Sequence, residues 1–430
     1  EQRAIIAERL LSAADTELRN DREDAMDAYY GRPYGNEIEG RAQVVSKDIM
    51  DTVEWIMPSL MEVFCTQNSI QFDPVGPEDE ELAKQETSFV THNLWKKNPG
   101  FMVIYEWLKS GLLQKNGYAK TWWQDEEKVC FEEYDGLTDE QLVQVVTELE
   151  KQGKVEVVGY EQGENGTHAF KAKVKKAYGC AKVECCPPEE IIINRSCRKD
   201  IKSGRFVAHI RRDVMRSELL EQGYSKRRVK RLTSYDWKAD MAEAMARDTV
   251  NETIETETMD SDKASGTLSL LECWTYLDAD DDGIAELRHY LLGGNDELEN
   301  EECPEIPFDS WTGFPMPFRH NGLSVYDLLE DLQRIKTALQ RGTLDNVYFT
   351  MNPRIGYSRD VDTQSLQINR PGGHVLVNVN GPIAGHMMPM PVQPIVGQIL
   401  PVISYIDQVK QTRSGVGDLT TGVDADVLAQ

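Results

Sequence analysis

The sequence predicts an α+β chain, and three observations predict it. Apolar residues recur every three to four positions through the first quarter, the period shifts toward two from Gly117, and long amphipathic helices return in the last third. From Arg3 to Tyr30 the residues Ile5, Ile6, Leu10, Leu11, Ala14, Leu18, Met26 and Tyr30 mark one amphipathic helix, ended by Gly31 and Pro33. Beyond the loop Gly31 to Gly40, Asp48 is expected to cap a second helix carrying Ile49, Val53, Trp55, Ile56, Leu60, Met61 and Phe64, with Pro58 bending or splitting it. Helices over 78–95 and 101–115, separated by Asn98-Pro99-Gly100, complete the helical quarter.

From Gly117, strands are expected over 118–124, 128–134, 154–160, 169–178 and 181–186, set apart by Gly, Asn and acidic turns, with one helix over 137–152. Another strand spans 206–214, and helical turns over 215–232 hold the basic run Lys226, Arg227, Arg228, Lys230 and Arg231. Residues 236–266 are acidic, Thr-rich and poor in apolar anchors, which reads as a surface excursion or linker. Residues 268–277 and 284–292 form a hairpin around an acidic turn.

In the last third, Val325, Leu328, Leu329, Leu332, Ile335, Leu339, Val347 and Tyr348 give a helix from Gly322 to Phe349 a single apolar face. At 1.5 Å per residue it is about 40 Å long, suited to packing against neighbours rather than edging a compact enzyme domain. A Pro/Gly-rich β segment follows, then a second helix from Ile395 to Arg413 and a Gly/Asp/Thr tail.

The chain has 430 residues, enough for two or three domains, with 40% hydrophobic content. Its net charge of -26 argues against sequence-reading of nucleic acid, which needs basic surfaces to neutralise phosphates. Eight dispersed cysteines and no N-terminal apolar stretch fit free thiols in a reducing compartment. Aliphatic runs such as Ile191 to Ile193 fall far short of the ~20 apolar residues that cross a bilayer, so no membrane partner is expected.

Among chemical motifs, Asp278, Asp280 and Asp282 with Gly283 match the first half of a calcium loop, where alternating carboxylates converge on one hard cation. The twelfth position is His289 rather than a bidentate Glu and strands flank the loop, so a plain Asp/Gly hairpin turn is the preferred reading and no metal is expected. Cys180, Cys185, Cys186 and Cys197 lack the paired spacing of a zinc knuckle. No phosphate loop, nucleophile elbow or His-Glu-x-x-His is present, and carboxylates are too abundant for any pair to be nominated as catalytic. No aromatics interleave with the basic run at 226–231, so it reads as a solvated helix face.

Six segments together resemble the portal proteins of tailed bacteriophages, in particular short-tailed ones: GRAQVVSKDIMDTVEWIMPSLMEVF at 40–64, LKSGLLQKNGYAKTWW at 108–123, DADDDGIAELRHYLL at 278–292, HNGLSVYDLLEDLQRIKTALQRGTLDNVYFTMNPR at 320–354, NRPGG at 369–373 and ISYIDQVKQTRSGVGDLTTGVDAD at 403–426. Their order and spacing span almost the whole chain.

The resemblance implies a ring of about twelve copies at one capsid vertex, through whose channel double-stranded DNA is packaged and later ejected. It implies a wing over 1–319, a stem helix over 320–350, a clip over 351–394, a second stem helix over 395–413, and the start of a tunnel loop over 414–430. It implies no enzyme activity and no cofactor. Its expected partners are the terminase that supplies ATP hydrolysis, head-to-tail adaptor and tail proteins, and capsid and scaffolding proteins. Its location is the virion, with assembly in the host cytoplasm. The polar clip candidates for terminase and adaptor docking are Arg359, Asp360, Asp362, Gln364 and Gln367. The channel candidates are Lys410, Arg413, Gly415, Gly417, Asp418, Thr420, Thr421 and Gly422, the cations for transient phosphate contact and the glycines for loop freedom. Portal proteins of this kind continue into a further helix, a crown and sometimes a barrel, which are not expected in a sequence ending at Gln430. Two readings compete. A metal-dependent hydrolase at the Asp278 to Asp282 loop would bind divalent cations tightly and lose turnover in Asp280→Ala; an adaptor would join only after packaging.

Overall fold

A capping carboxylate divides what periodicity reads as one N-terminal helix. In a computed structural model describing residues 2–66, 69–76, 78–152, 154–162, 168–198, 200–234, 247, 266–280, 282–294, 296–367, 374–378 and 385–417, α1 is Gln2–Ala13 and α2 is Thr16–Tyr30. Asp15 between them accepts the N–H groups of Glu17 and Leu18, which α2 would otherwise leave unpaired. Gly31 ends α2 in the left-handed conformation (φ 70°). The next helix, α3 (Asp48–Phe64), runs unbroken through Pro58, and its cap position is Lys47. Asp48 sits inside its first turn, because three side chains hold its carboxylate there. Helix α4 (Glu80–His92) widens into a π-helical turn at Asn93–Lys97, and α5 (Gly100–Leu113) follows.

The β region comprises β1 (Gly117–Leu137), α6 (Asp139–Gln152), β2 (Lys154–Gln162), β3 (His168–Cys186), β4 (Ile191–Ile193) and β5 (Phe206–Met215). Then come α7 (Arg216–Glu221), α8 (Lys226–Arg231), β6 (Thr267–Leu277), β7 (Glu286–Gly293), β8 (Asp296–Glu302) and β9 (Phe308–Trp311). Each of β1 and β3 runs straight through a predicted break. They pair antiparallel from Tyr118↔Cys186 to Tyr134↔Phe170, and this long ladder overrides the turn propensity of the acidic run in β1 and of Gly179 in β3. Strands β4, β8 and β9 carry no alternation strong enough to announce them. Apart from Arg247 and Gly266, the acidic stretch 236–266 lies outside the described residues.

Two antiparallel sheets result, ordered β2-β3-β1-β9 and β4-β5-β6-β7-β8. Helix α1 covers one face of the second sheet through Ile6 and Leu10, against Phe206, Leu271 and Tyr290. The opposite face meets the first sheet around Tyr118, Trp274 and Phe308. There Lys120 of β1 pairs with buried Glu272 of β6, which His289 also contacts at 3.1 Å, so the charges joining the sheets are mutually compensated.

The chain ends in α9 (Val325–Met351), β10 (Arg354–Tyr357), α10 (Thr363–Gln367), β11 (Met387–Met390) and α11 (Val396–Ser414). Helices α2, α3, α5, α9 and α11 share one core that includes Tyr29, Ile49, Val53, Leu112, Leu329 and Ile406. No described helix is long and apolar enough to cross a membrane.

Candidate functional site

Ser324 starts α9 with a reciprocal cap, accepting the Asp327 N–H while the Asp327 carboxylate accepts the Ser324 N–H. The buried face of this 27-residue helix differs from the apolar stripe the sequence suggests. Ile335 and Tyr348 are 50% and 57% exposed, whereas Gln333, Thr337 and Asn346 are buried. The reason is hydrogen bonding. Gln333 Nε2 donates to the Ala28 carbonyl in the last turn of α2 at 2.9 Å, and its Oε1 accepts the Ile49 N–H in the first turn of α3 at 3.0 Å. One side chain thus pairs the Ile49 N–H, an unpartnered donor in the first turn of α3, and adds a second donor to the Ala28 carbonyl, which also accepts the Gly31 N–H. Thr337 Oγ1 accepts the Ser46 N–H at 3.1 Å.

Helices α9 and α11 form an antiparallel hairpin. At one end Asn346 Nδ2 donates to the Gln393 carbonyl at 2.9 Å, and its Oδ1 accepts the Ile395 N–H at 3.0 Å. At the other end Arg413 donates to both carboxylate oxygens of Asp331, at 2.7 and 2.9 Å. These contacts lie about 22 Å apart along α9 at the rise of an α-helix.

Asp48 ties the root of this hairpin to the body. Its buried carboxylate accepts from Ser46 Oγ at 2.6 Å, Lys336 Nζ at 2.8 Å and Lys410 Nζ at 2.9 Å, so α3, α9 and α11 meet at one group. Lys336 also reaches Asp407 of α11 at 2.6 Å. Burial alone would raise the Asp48 pKa, but these donors hold it below the ordinary carboxylate value. Burial likewise disfavours the charge on Lys336, and Asp407 with Asp48 outweighs it, so that pKa is raised.

The channel candidates therefore divide. Lys410 points inward to Asp48 and Arg413 is paired with Asp331. Gly415 closes α11 in the left-handed region (φ 70°), its N–H donating to the Gln411 carbonyl. Gly417 is the last described residue, and Asp418, Thr420, Thr421 and Gly422 lie outside the described residues. Sequence reasoning missed Asp48 as a hub, as well as Lys336, Asp407, Gln333 and Asn346. Only the i,i+3 spacing of Asp407 and Lys410 is visible along the chain.

The segment between the two helices is built lightly. Strands β10 and β11 pair antiparallel from Arg354↔Met390 to Tyr357↔Met387, and one bridge joins Val361 to Val377. Of its described residues only Val361 is buried, while Met388 and Met390 are 70% and 56% exposed. Arg359, Asp360, Gln364 and Gln367 lie at the surface. Asp362 is different in kind. Its carboxylate caps α10 by accepting the N–H groups of Gln364 (3.2 Å) and Ser365 (3.1 Å), and the Ser365 and Gln364 bonds lower its pKa. Asp360 accepts from Ser358 Oγ at 3.1 Å. The NRPGG segment at 369–373 lies outside the described residues.

The acidic hairpin has the geometry of a turn. Carboxylate atoms of Asp278, Asp280 and Asp282 lie within 4.8 Å of one another. Asp278 accepts the N–H groups of Asp282 and Gly283 at 3.2 and 2.8 Å, Asp282 accepts that of Ile284 at 2.7 Å, and Gly283 takes φ 86°. These contacts account for Asp278, Asp282 and Gly283 as turn residues. None of the eight cysteines is in a disulfide, and burial pushes the Cys185 thiol up to about 12. The basic run on α8 is a solvated face with Val229 as its buried anchor.

Against known families, the model described as Phage SU10 portal protein matches residues 5–430. The match covers nearly the whole sequence, so the chain belongs to this phage portal protein family, a structural rather than an enzymatic one.

Proposed function

We propose that this member of the phage portal family assembles as a ring of about twelve copies at one capsid vertex and forms the conduit for packaging and ejecting double-stranded DNA. The observation that carries this reading is the α9/α11 hairpin, with a lightly built, exposed segment at its tip and the residues leading toward 418–430 at its root. In the ring, α9 and α11 are the stem helices, 351–394 the clip, 1–319 the wing, and 414–430 the beginning of the tunnel loop. The clip docks terminase during packaging and an adaptor or tail protein afterward, and capsid and scaffolding proteins surround the wing. Assembly begins in the host cytoplasm and the product is a virion component.

The net charge of -26 per copy suits such a channel, because a negative wall repels phosphates and lets DNA slide without sequence-specific adhesion. Screening over about 8–10 Å confines that repulsion to the neighbourhood of the wall. Lys410 serves to position α11 through Asp48, whereas the half-exposed Arg413 makes brief phosphate contact by exchanging its Asp331 partner. The chain supplies no catalytic group and no cofactor; terminase supplies the energy.

Timing is the test. Procapsids isolated before packaging are expected to contain this chain at one vertex. Its absence from them, with appearance only in filled heads, would identify a late-joining adaptor and overturn the reading.

A further inference from the structure

A cavity of about 490 Å³ opens where the α1/α2 junction meets β4 and the loop leading into α9. Its wall draws side chains from within 13–22, 188–198 and 318–323, segments far apart in sequence. It lies outside the α9/α11 hairpin and the segment at its tip.

The charges in this wall do not cancel. Three of its four carboxylates are taken: Asp15 caps α2 and meets Arg195 at 3.8 Å, Asp21 accepts from Lys115 at 2.6 Å, and Glu189 pairs with Arg247. Glu17 is the fourth. Against it stand Arg22, Arg198 and Arg319, none of them in ion-pair contact with a carboxylate among the described residues.

Arg22 carries the most weight, because it is only 4% exposed. Its Nε donates to the Gln114 carbonyl at 3.1 Å and its Nη1 to the Pro188 carbonyl at 3.0 Å. Two neutral carbonyls hold the guanidinium in place without answering its charge, and its Nη2 has no partner among the described residues. Buried charges are ordinarily paired. On a chain with 73 acidic residues, a guanidinium left unanswered in a cavity wall points to an anion supplied from outside the chain.

The rim adds an aromatic. Phe318, between Pro317 and Arg319, lines the same cavity, is 84% exposed and takes φ 62°. A phenylalanine at positive φ is strained, and such strain collects at ligand-holding positions. Here it keeps a flat ring in solvent on the wall that holds the three arginines.

We propose that this cavity binds a nucleotide, with its phosphate on Arg22, Arg198 and Arg319 and its base against Phe318. Guanidinium forks match phosphate oxygens, and aromatic faces stack bases without regard to sequence. The volume suits a small organic ligand and far exceeds a single phosphate group. The phosphate belongs either to a free nucleotide or to the end of a nucleic-acid strand. Every residue of the site comes from one chain, so the proposal does not depend on the ring.

Calorimetric titration of the full chain with AMP, adenosine and a short 5′-phosphorylated DNA oligonucleotide tests it. AMP is expected to bind and adenosine not to; an oligonucleotide that binds only when phosphorylated, with AMP inert, would assign the site to a strand end. Arg198→Ser with Arg319→Ser, at exposed positions, should leave thermal unfolding unchanged and weaken binding by on the order of tenfold or more. Phe318→Ser should weaken it less, and Arg22→Lys, which keeps the buried charge but loses the fork, should also weaken it. No binding of either phosphorylated probe at millimolar concentration would overturn the site. So would adenosine binding as tightly as AMP, or an Arg198/Arg319 double variant that binds like the parent.

Discussion

The two ends of the α9/α11 hairpin differ in how their polar groups are satisfied. At the root, Asp48, Lys336, Lys410 and Asp407 answer one another inside a single chain, and Gln333 pairs the ends of α2 and α3. At the tip, two four-residue strands and a five-residue helix enclose one buried residue and turn methionines to solvent. A two-stranded ribbon of that size is marginal alone. Rigidity is concentrated at the root, which fixes the angle of the helices to the body, and in the proposed ring the exposed tip is the surface left for partners.

Removing Asp48 should have the largest effect at the root. Asp48→Ala leaves the largely buried Lys410 without its close anion and Lys336 with Asp407 alone, a loss of about 3–5 kcal/mol. A denaturant midpoint within error of the parent would contradict the hub. Next is Gln333→Leu, which keeps the volume but strands the buried Ile49 N–H, while the Ala28 carbonyl keeps the Gly31 N–H, at a cost of about 1–2 kcal/mol; equal stability would mean that the start of α3 is paired in another way.

The hub also has a defined pH range. The Asp48 pKa is depressed, so its contribution is full above the ordinary value of 3.8 and is lost as pH falls through the lower folded-state value. The Lys336 pKa is raised, so its contribution is full below 10.5 and is lost as pH rises through the higher folded-state value. The stability difference between the parent and Asp48→Asn should be flat between those limits and shrink outside them; a slope centred near neutrality would contradict this.

Smaller effects follow at the partly exposed pair and at the tip. Arg413→Ala should cost less than about 1 kcal/mol, because both partners are substantially solvated. Arg359→Glu and Met388→Glu should leave thermal unfolding unchanged while weakening terminase or adaptor binding to purified rings. Unaltered binding in both would remove the tip from the docking surface. Asp362→Lys makes a poor probe of docking, since it removes the α10 cap together with the charge.

Most helices and the β6/β7 hairpin were legible because their periodicity is local. The division at Asp15 was legible in principle, since Asp followed by Thr-Glu is a cap signal, but the apolar period on both sides masked it. The continuity of β1 and β3 was not legible, because each predicted break is overridden by a partner strand distant in sequence. The buried polar face of α9 was invisible for a related reason: Gln333 is buried to serve the backbone ends of α2 and α3, and no pattern within α9 encodes them. At the candidate site, residue types at the tip were readable as polar, but the capping role of Asp362 and the inward turn of Lys410 depend on tertiary position.

Electron microscopy of the purified full chain would show whether it closes into a ring. Class averages should show closed rings of about twelve copies with a central channel wide enough for a DNA duplex. Monomers or small compact oligomers at all concentrations would contradict the conduit.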